Sequence, residues 1–314
     1  MKIYIFLILG ILGNTSLISQ QLPLQSDFNN LQTIINPGSL NMNYLYSEYR
    51  LNIGVSHRNQ CSGIKNAPKT NLVHADYFHD GNAVGIISGG YIIQDKVSKI
   101  KTTGVYGKIG GLLSDDPYYH GISLGISAGL VSYSIDTRDA QLIDKDDVLA
   151  YSLNNTLSPD MGLGVAFYSR IGQKDMIFGG LSVPQLLGLD LSFKNDQNKF
   201  DVKRIQHYYA QLGYKKGLSN DESYFELSSW LKYVKGAPLN VDFNLKYQIN
   251  EIIYLVSGFN SSGFVLGGFG IYLNDKIGYN NLIAMRYGVS APFFGDSPRY
   301  GISHELGFSI GLFK

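Results

Sequence analysis

The chain has 314 residues, with 26 Lys and Arg against 25 Asp and Glu, for a net charge of +1. That balance excludes a nucleic-acid binder working through a basic face. Charged residues make up 16% of the chain, while Gly numbers 36 and Tyr 23. That is less charge than the roughly 25% of ordinary soluble proteins, and a mean hydropathy of -0.04 excludes a bundle of apolar helices.

At the N-terminus, Lys2 precedes the apolar run Ile3 to Gly13, and the polar Asn14-Thr15-Ser16 follows. A positive start, a short apolar core and a polar exit form a secretory signal peptide, expected over residues 1–20 with cleavage near Ser19 to Gln21. A buried N-terminal helix is the alternative. The run is too short to span a bilayer, which takes about 20 residues. No later stretch of 18 apolar residues exists, so any membrane insertion must be by strands. Residues 21–45 form a short segment before the first strand, expected on the periplasmic side. Cys61 is the sole cysteine, so no internal disulfide framework exists.

From Tyr46 onward the dominant signal is alternation with period two, the mark of a strand with two unlike faces. Between Gly121 and Leu130, Ile122, Leu124, Ile126, Ala128 and Leu130 oppose Gly121, Ser123, Gly125, Ser127 and Gly129. In Phe225 to Tyr233, Phe225, Leu227, Leu231 and Tyr233 oppose Tyr224, Glu226, Trp230 and Lys232. Leu239, Val241, Phe243, Leu245, Tyr247 and Ile249 oppose Asn240, Asp242, Asn244, Lys246 and Gln248. In Ile302 to Phe313, Leu306, Phe308, Ile310 and Leu312 oppose Glu305, Gly307, Ser309 and Gly311. Ten further candidates are 46–57, 70–78, 83–94, 101–113, 160–170, 175–184, 205–217, 251–259, 262–274 and 278–289. Connections after even-numbered strands are short and rich in Asn, Asp and Gly, which suit tight turns: His79-Asp80-Gly81-Asn82, Gly172-Gln173-Lys174, Ser219-Asn220-Asp221, Asn250 and Asn274-Asp275-Lys276. The long ones, 58–69, 133–159, 185–204 and 290–301, follow odd-numbered strands. An even count with short turns at one end and long loops at the other is the pattern of an outer-membrane barrel. The expected fold is therefore all-β: a transmembrane antiparallel up-and-down β-barrel of about 14 strands over 46–314, with both ends periplasmic. A soluble β-sandwich also alternates, but its apolar face would form the core.

Motifs for chemistry do not assemble into a site. Gly-x-Ser-x-Gly occurs around Ser123, Ser127 and Ser309. A nucleophile elbow needs that Ser on a turn from strand to helix, and here each lies inside an alternating strand. His304 and Glu305 point to opposite faces of one strand. None of the six His has metal spacing, His74 and His79 forming only a loose pair. Asp136, Asp139, Asp144, Asp146 and Asp147 crowd one long loop. A calcium site would use such oxygens, but the EF-hand glycine and final Glu are missing, and a solvated acidic loop is the plainer reading. Tyr118, Tyr119, Tyr208, Tyr209, Phe293, Phe294 and Tyr300 near strand ends suit interfacial aromatic girdles. No catalytic residue, cofactor or metal is expected.

Several spaced segments resemble the PorP/SprF family, outer-membrane proteins of the type IX secretion and gliding machinery of Bacteroidetes. The most specific is Leu231-Lys232-Tyr233-Val234-Lys235-Gly236-Ala237-Pro238-Leu239-Asn240-Val241-Asp242. Others are Ala67-Pro68-Lys69-Thr70, Leu181-Ser182-Val183-Pro184-Gln185-Leu186-Leu187, His207-Tyr208-Tyr209, His304-Glu305-Leu306-Gly307, Gln20-Gln21-Leu22-Pro23 and Asn36-Pro37. The likeness runs in order through nearly the whole mature chain. Two departures are Gly38-Ser39, where members continue with Ala and an aromatic, and Cys61, where they tend to carry Trp. The resemblance implies a non-enzymatic outer-membrane component that assists export or surface attachment of a secreted adhesin through its C-terminal sorting domain, and that meets periplasmic machinery. A general porin or small-molecule transporter is the other reading. Proline fixes φ and removes a donor, which suits a shaped loop. Ala67, Pro68, Lys69 and Thr70, with Lys235, Gly236, Ala237 and Pro238, are accordingly the candidate partner contacts, strand termination being the alternative role.

Overall fold

The alternating segments form sixteen strands: β1 (Tyr49–Asn59), β2 (Lys69–His79), β3 (Val84–Val97), β4 (Ile100–Leu113), β5 (His120–Ile135), β6 (Thr156–Ile171), β7 (Asp175–Val183), β8 (Asp190–Lys194), β9 (Lys199–Lys203), β10 (His207–Gly217), β11 (Tyr224–Val234), β12 (Asn240–Gln248), β13 (Ile253–Asn260), β14 (Phe264–Leu273), β15 (Leu282–Pro292) and β16 (Ser303–Phe313). The structure, a computed structural model, describes residues 31–41, 44, 49–81, 84–135, 156–188, 190–194, 199–203, 205–218, 222–274, 281–293 and 301–313. All strands but β8 and β9 form one closed antiparallel barrel of fourteen, in which β7 pairs with β10 and β1 closes on β16. The strand count and order match the sequence expectation. The finding the periodicity did not provide is the two-stranded ribbon β8–β9, which rises out of the connection read as a plain loop.

Which face is buried decides between membrane barrel and sandwich. In β12, Asn244 and Lys246 are 4% and 6% exposed, whereas Phe243 and Leu245 are 40% and 43% exposed. In β5, Ser123 and Ser127 are buried and Leu124 is 67% exposed. The polar face turns inward and the apolar face outward all round the wall, the inverse of a soluble sandwich. On β5 the outward apolar positions run from Ile122 to Leu130, about 26 Å along the strand at 3.3 Å per residue, or about 20 Å after a tilt near 40°. That approaches the apolar band of a transmembrane barrel.

Inside the wall, aromatic rings lie flat over glycines of neighbouring strands. Tyr254 covers Gly270, Phe178 covers Gly213 and Tyr106 covers Gly129, and a Cβ at any of these glycines would collide with the ring. The glycine content is thus largely a packing requirement of the inner wall.

The connections sort the two ends. One end, the loop rim, carries 60–68, 98–99, 136–155, 184–206, 235–239, 261–263 and 293–302. The other, the turn rim, carries 80–83, 114–119, 172–174, 218–223, 249–252 and 274–281. Tyr118 and Tyr119 are exposed at the turn rim, and Tyr208 and Phe293 at the loop rim. Tyr209, adjacent to Tyr208, necessarily faces the other way and is buried in the lumen. Phe294 and Tyr300 lie outside the described residues, as do the signal-peptide segment and the Asp136–Asp147 cluster.

Candidate functional site

The lumen is occupied by the chain's own N-terminal segment. Residues 31–41 and Tyr44, part of the stretch set apart as a separate segment in the sequence, pack against the inner wall. A single helical turn, α1 (Gln32–Ile35), starts the plug in the loop-rim half. Leu31 packs with Leu72, Tyr91, Tyr106 and Val131. Ile35 meets Tyr209 and Trp230. The plug then descends, and Leu40 and Tyr44 join Tyr49, Phe78, Leu112, Tyr168 and Phe178 toward the turn rim.

Polar contacts fix its depth. Asp76 of β2 is paired with Lys108 of β4, both buried. Thr33 Oγ1 donates to Asp76 Oδ2 at 3.1 Å, and His74 Nδ1 lies 3.1 Å from the same oxygen. Lys108 Nζ in turn donates to the Thr33 carbonyl at 2.9 Å. Lower down, Tyr44 OH donates to the Asp76 carbonyl at 2.6 Å, and burial pushes its phenol pKa far above the usual value. A buried ion pair stays intact only when its remaining hydrogen bonds are satisfied, and here the plug supplies two of them.

A lane of small residues lets the plug backbone approach. Gly125 of β5 stands opposite Gly164 of β6, which stands opposite Ser182 of β7. A Cβ on Gly125 would strike the Pro37 carbonyl, and one on Gly164 the Asn36 side chain. Asn36 Nδ2 donates to the Val165 carbonyl at 3.0 Å, and Ser123 Oγ to the Gly38 carbonyl at 2.5 Å. The Gly-x-Ser-x-Gly runs in β5 are therefore a seat for the plug. A cavity of about 10 Å³ remains between Ile35, Asn36, Gly180, Tyr209 and Trp230, room for about one water.

In the other half of the lumen, wall side chains close in on one another and leave a cavity of about 20 Å³ between Tyr254, Leu266, Arg286, Gly288 and Glu305. Lys232 Nζ lies 2.6 Å from Asp242 Oδ2. Lys246 Nζ sits 4.3 Å from the ring centre of Tyr254, with Tyr224 and Tyr272 at 5.6 and 5.7 Å, a cation held by aromatic faces. Asn52, Asp160, Ser228, Lys246 and Glu305, on five different strands, are all buried. A water-filled lumen would leave such side chains exposed.

The two sequence-predicted contact segments lie on the same rim but not together. Ala67 and Pro68 end the β1–β2 connection and Lys69 and Thr70 begin β2, whereas 235–238 join β11 to β12, and β12 is six inter-strand steps from β2 by the shorter way round. Ala67 and Thr70 are buried, and Thr70 Oγ1 donates to Asp95 Oδ1 at 2.7 Å. Pro68 is half-buried, its carbonyl accepting from Gln60 N at 2.9 Å, and Lys69 points outward from the wall. Lys235, Gly236 and Pro238 are exposed, and Gly236 has φ +88°, the left-handed conformation that favours glycine.

A closed fourteen-stranded antiparallel barrel with an apolar outer belt and a packed polar interior is a transmembrane barrel of the outer-membrane type. The sequence match is more particular: residues 17–309 match the type IX secretion system membrane protein PorP/SprF. The chain belongs to that family and is an outer-membrane component of type IX secretion. Among solved structures, it is similar to the toluene transporter TodX of P. putida, with TM-score 0.53 and 8% identity over 90% of this chain and 94% of that one. It is also similar to the monoaromatic hydrocarbon channel CymD, with TM-score 0.50 and 8% identity over 95% of each. At such identities the likeness concerns the fold. No protein of curated function matches the chain significantly in sequence.

Proposed function

We propose that this barrel is a non-enzymatic accessory of the secretion machinery that assists export or surface attachment of one particular secreted protein, an adhesin, recognised through its C-terminal sorting domain. The observation that carries the reading is the occupied lumen in a chain of this family: with residues 31–41 and Tyr44 and lumenal side chains leaving only small cavities among the described residues, recognition falls to the rims. Loops on a rigid scaffold are the usual carriers of recognition. In this reading the loop rim faces outward, with Lys235, Gly236 and Pro238 among its contacts, and the turn rim faces periplasmic components. The serines of the Gly-x-Ser-x-Gly runs support a non-enzymatic role, since Ser123 is engaged with the plug inside a strand.

Deletion of the gene followed by surface proteomics tests this. One secreted protein should disappear from the surface and return on complementation, and an unchanged surface would refute the proposal. The competing reading, a porin or small-molecule transporter, predicts a large steady conductance of the full chain in planar bilayers.

A further inference from the structure

The outer surface of β1 to β5 is layered in a way that neither packing nor secretion explains. Strand register places Val55, Val73, Ile92, Val105 and Leu130 side by side across five strands. All are exposed and lipid-facing. Two residues nearer the loop rim, the row becomes His57, Asn71, Gln94, Thr103 and Ser132. Two further on, it becomes Asn59, Lys69, Lys96, Lys101 and Ser134. The three lysines are thus directly opposed neighbours on β2, β3 and β4, and all three are exposed.

Like charges in directly opposed cross-strand positions destabilise a sheet. Among the described residues no carboxylate forms an ion pair with any of the three: Asp95, next to Lys96, points to the lumen and accepts from Thr70. At the turn rim β3, β4 and β5 carry Val84, Leu113 and Ile122 in register, while β2 ends on His79, and no lysine or arginine stands in that row. The lysine row therefore borders one edge of the apolar belt only. It lies four residues past the last apolar row, about 13 Å along the strand and about 10 Å along the membrane normal. The headgroup region is roughly 5–8 Å deep per leaflet, and a lysine stem folds back over apolar surface by about that shortfall.

We propose that Lys69, Lys96 and Lys101, with Asn71 and Gln94 beneath them, bind the phosphate headgroup of an anionic lipid in the leaflet at the loop rim. Three lysines on adjacent strands, whose backbones lie about 4.8 Å apart, can bring their ammonium groups together on one phosphate. The amides one row below supply donors at the level of the linkage to the acyl chains. The bound headgroup neutralises the repulsion that no carboxylate among the described residues offsets.

The full chain, purified in a neutral detergent, is exchanged against phosphatidylglycerol and phosphatidylcholine of identical acyl chains, and retained lipid is read by native mass spectrometry. Wild type is expected to favour phosphatidylglycerol by about tenfold. The K69Q/K96Q/K101Q variant should bring that ratio near one, whereas K69R/K96R/K101R and the turn-rim variant K174Q should keep it. Heat-modifiable gel mobility shows that each barrel is folded, and the Arg variant decides the matter if the Gln variant is not. A wild type without preference, or a Gln variant that keeps it, overturns the proposal. Complete displacement of the lipid by millimolar inorganic phosphate does so too, since it would mark a site for a free anion.

Discussion

Replacing Thr33 by Val removes one hydroxyl from the plug and leaves its shape almost unchanged. The lost bond is Thr33 Oγ1 to Asp76 Oδ2, 3.1 Å long and buried. Asp76 keeps Lys108 and His74, so no charge is stranded and the cost is that of one hydrogen bond to a carboxylate, about 1.5–3 kcal/mol. At about 1.4 kcal/mol per tenfold, the fraction of molecules with the plug disengaged should rise about 10- to 150-fold. Local opening of this kind is measurable through a buried reporter. Ser39 is 2% exposed and lies in the middle of the plug, so Ser39→Cys in a Cys61→Ser background reports opening by its maleimide labelling rate. The rate should rise by that factor in T33V. A rate within twofold of the parent would refute the view that the Asp76–Lys108 pair holds the plug.

Three further outcomes follow from the same geometry. Gly125→Leu or Gly164→Val places atoms where Pro37 and Asn36 lie, and should expel the plug and raise single-channel conductance well above the parent. Gly267→Ala meets nothing within 4 Å and should leave conductance unaltered. Lys232→Met strands Asp242, whose pairing partner is 2.6 Å away, and should cost about 3–5 kcal/mol in urea unfolding from micelles. The double variant K232M/D242N should recover much of that loss. Ile126→Lys puts a cation on the outward face near the middle of the apolar belt and should cost about 2–4 kcal/mol in bilayer-based folding. A neutral result there would refute the membrane placement of β5.

The barrel was legible because period-two alternation survives in nearly every strand, and because one polar face recurs at matching positions. Asn240 to Gln248 alone foretold which residues line the lumen, and Asn244 and Lys246 lie there. The plug was not legible for a physical reason. The apolar residues Leu31, Ile34, Ile35, Leu40 and Tyr44 sustain neither a period of two nor one of 3.6, and residues 31–41 and Tyr44 are fixed by partners far away in sequence, such as Asp76, Lys108 and Gly164. A signal did exist: Gly125 and Gly164 are glycines in lumen-facing register, and a barrel wall needs that smallness where a ring or another backbone comes close. The ribbon β8–β9 escaped because two five-residue strands, Asp190 to Lys194 and Lys199 to Lys203, carry too few repeats to be told from loop. At the rim, proline marked the turns correctly but could not tell exposed Pro238 from half-buried Pro68, because burial there depends on how each loop lies on its neighbours.

The central claim is that the chain serves one secreted protein. Affinity purification of the tagged full chain from its native outer membrane, with identification of every bound polypeptide, tests it most directly. The account predicts one dominant secreted protein bearing a C-terminal sorting domain together with periplasmic machinery, and loss of the secreted protein when Lys235 and Pro238 are replaced. Recovery of the barrel with no secreted polypeptide would contradict it.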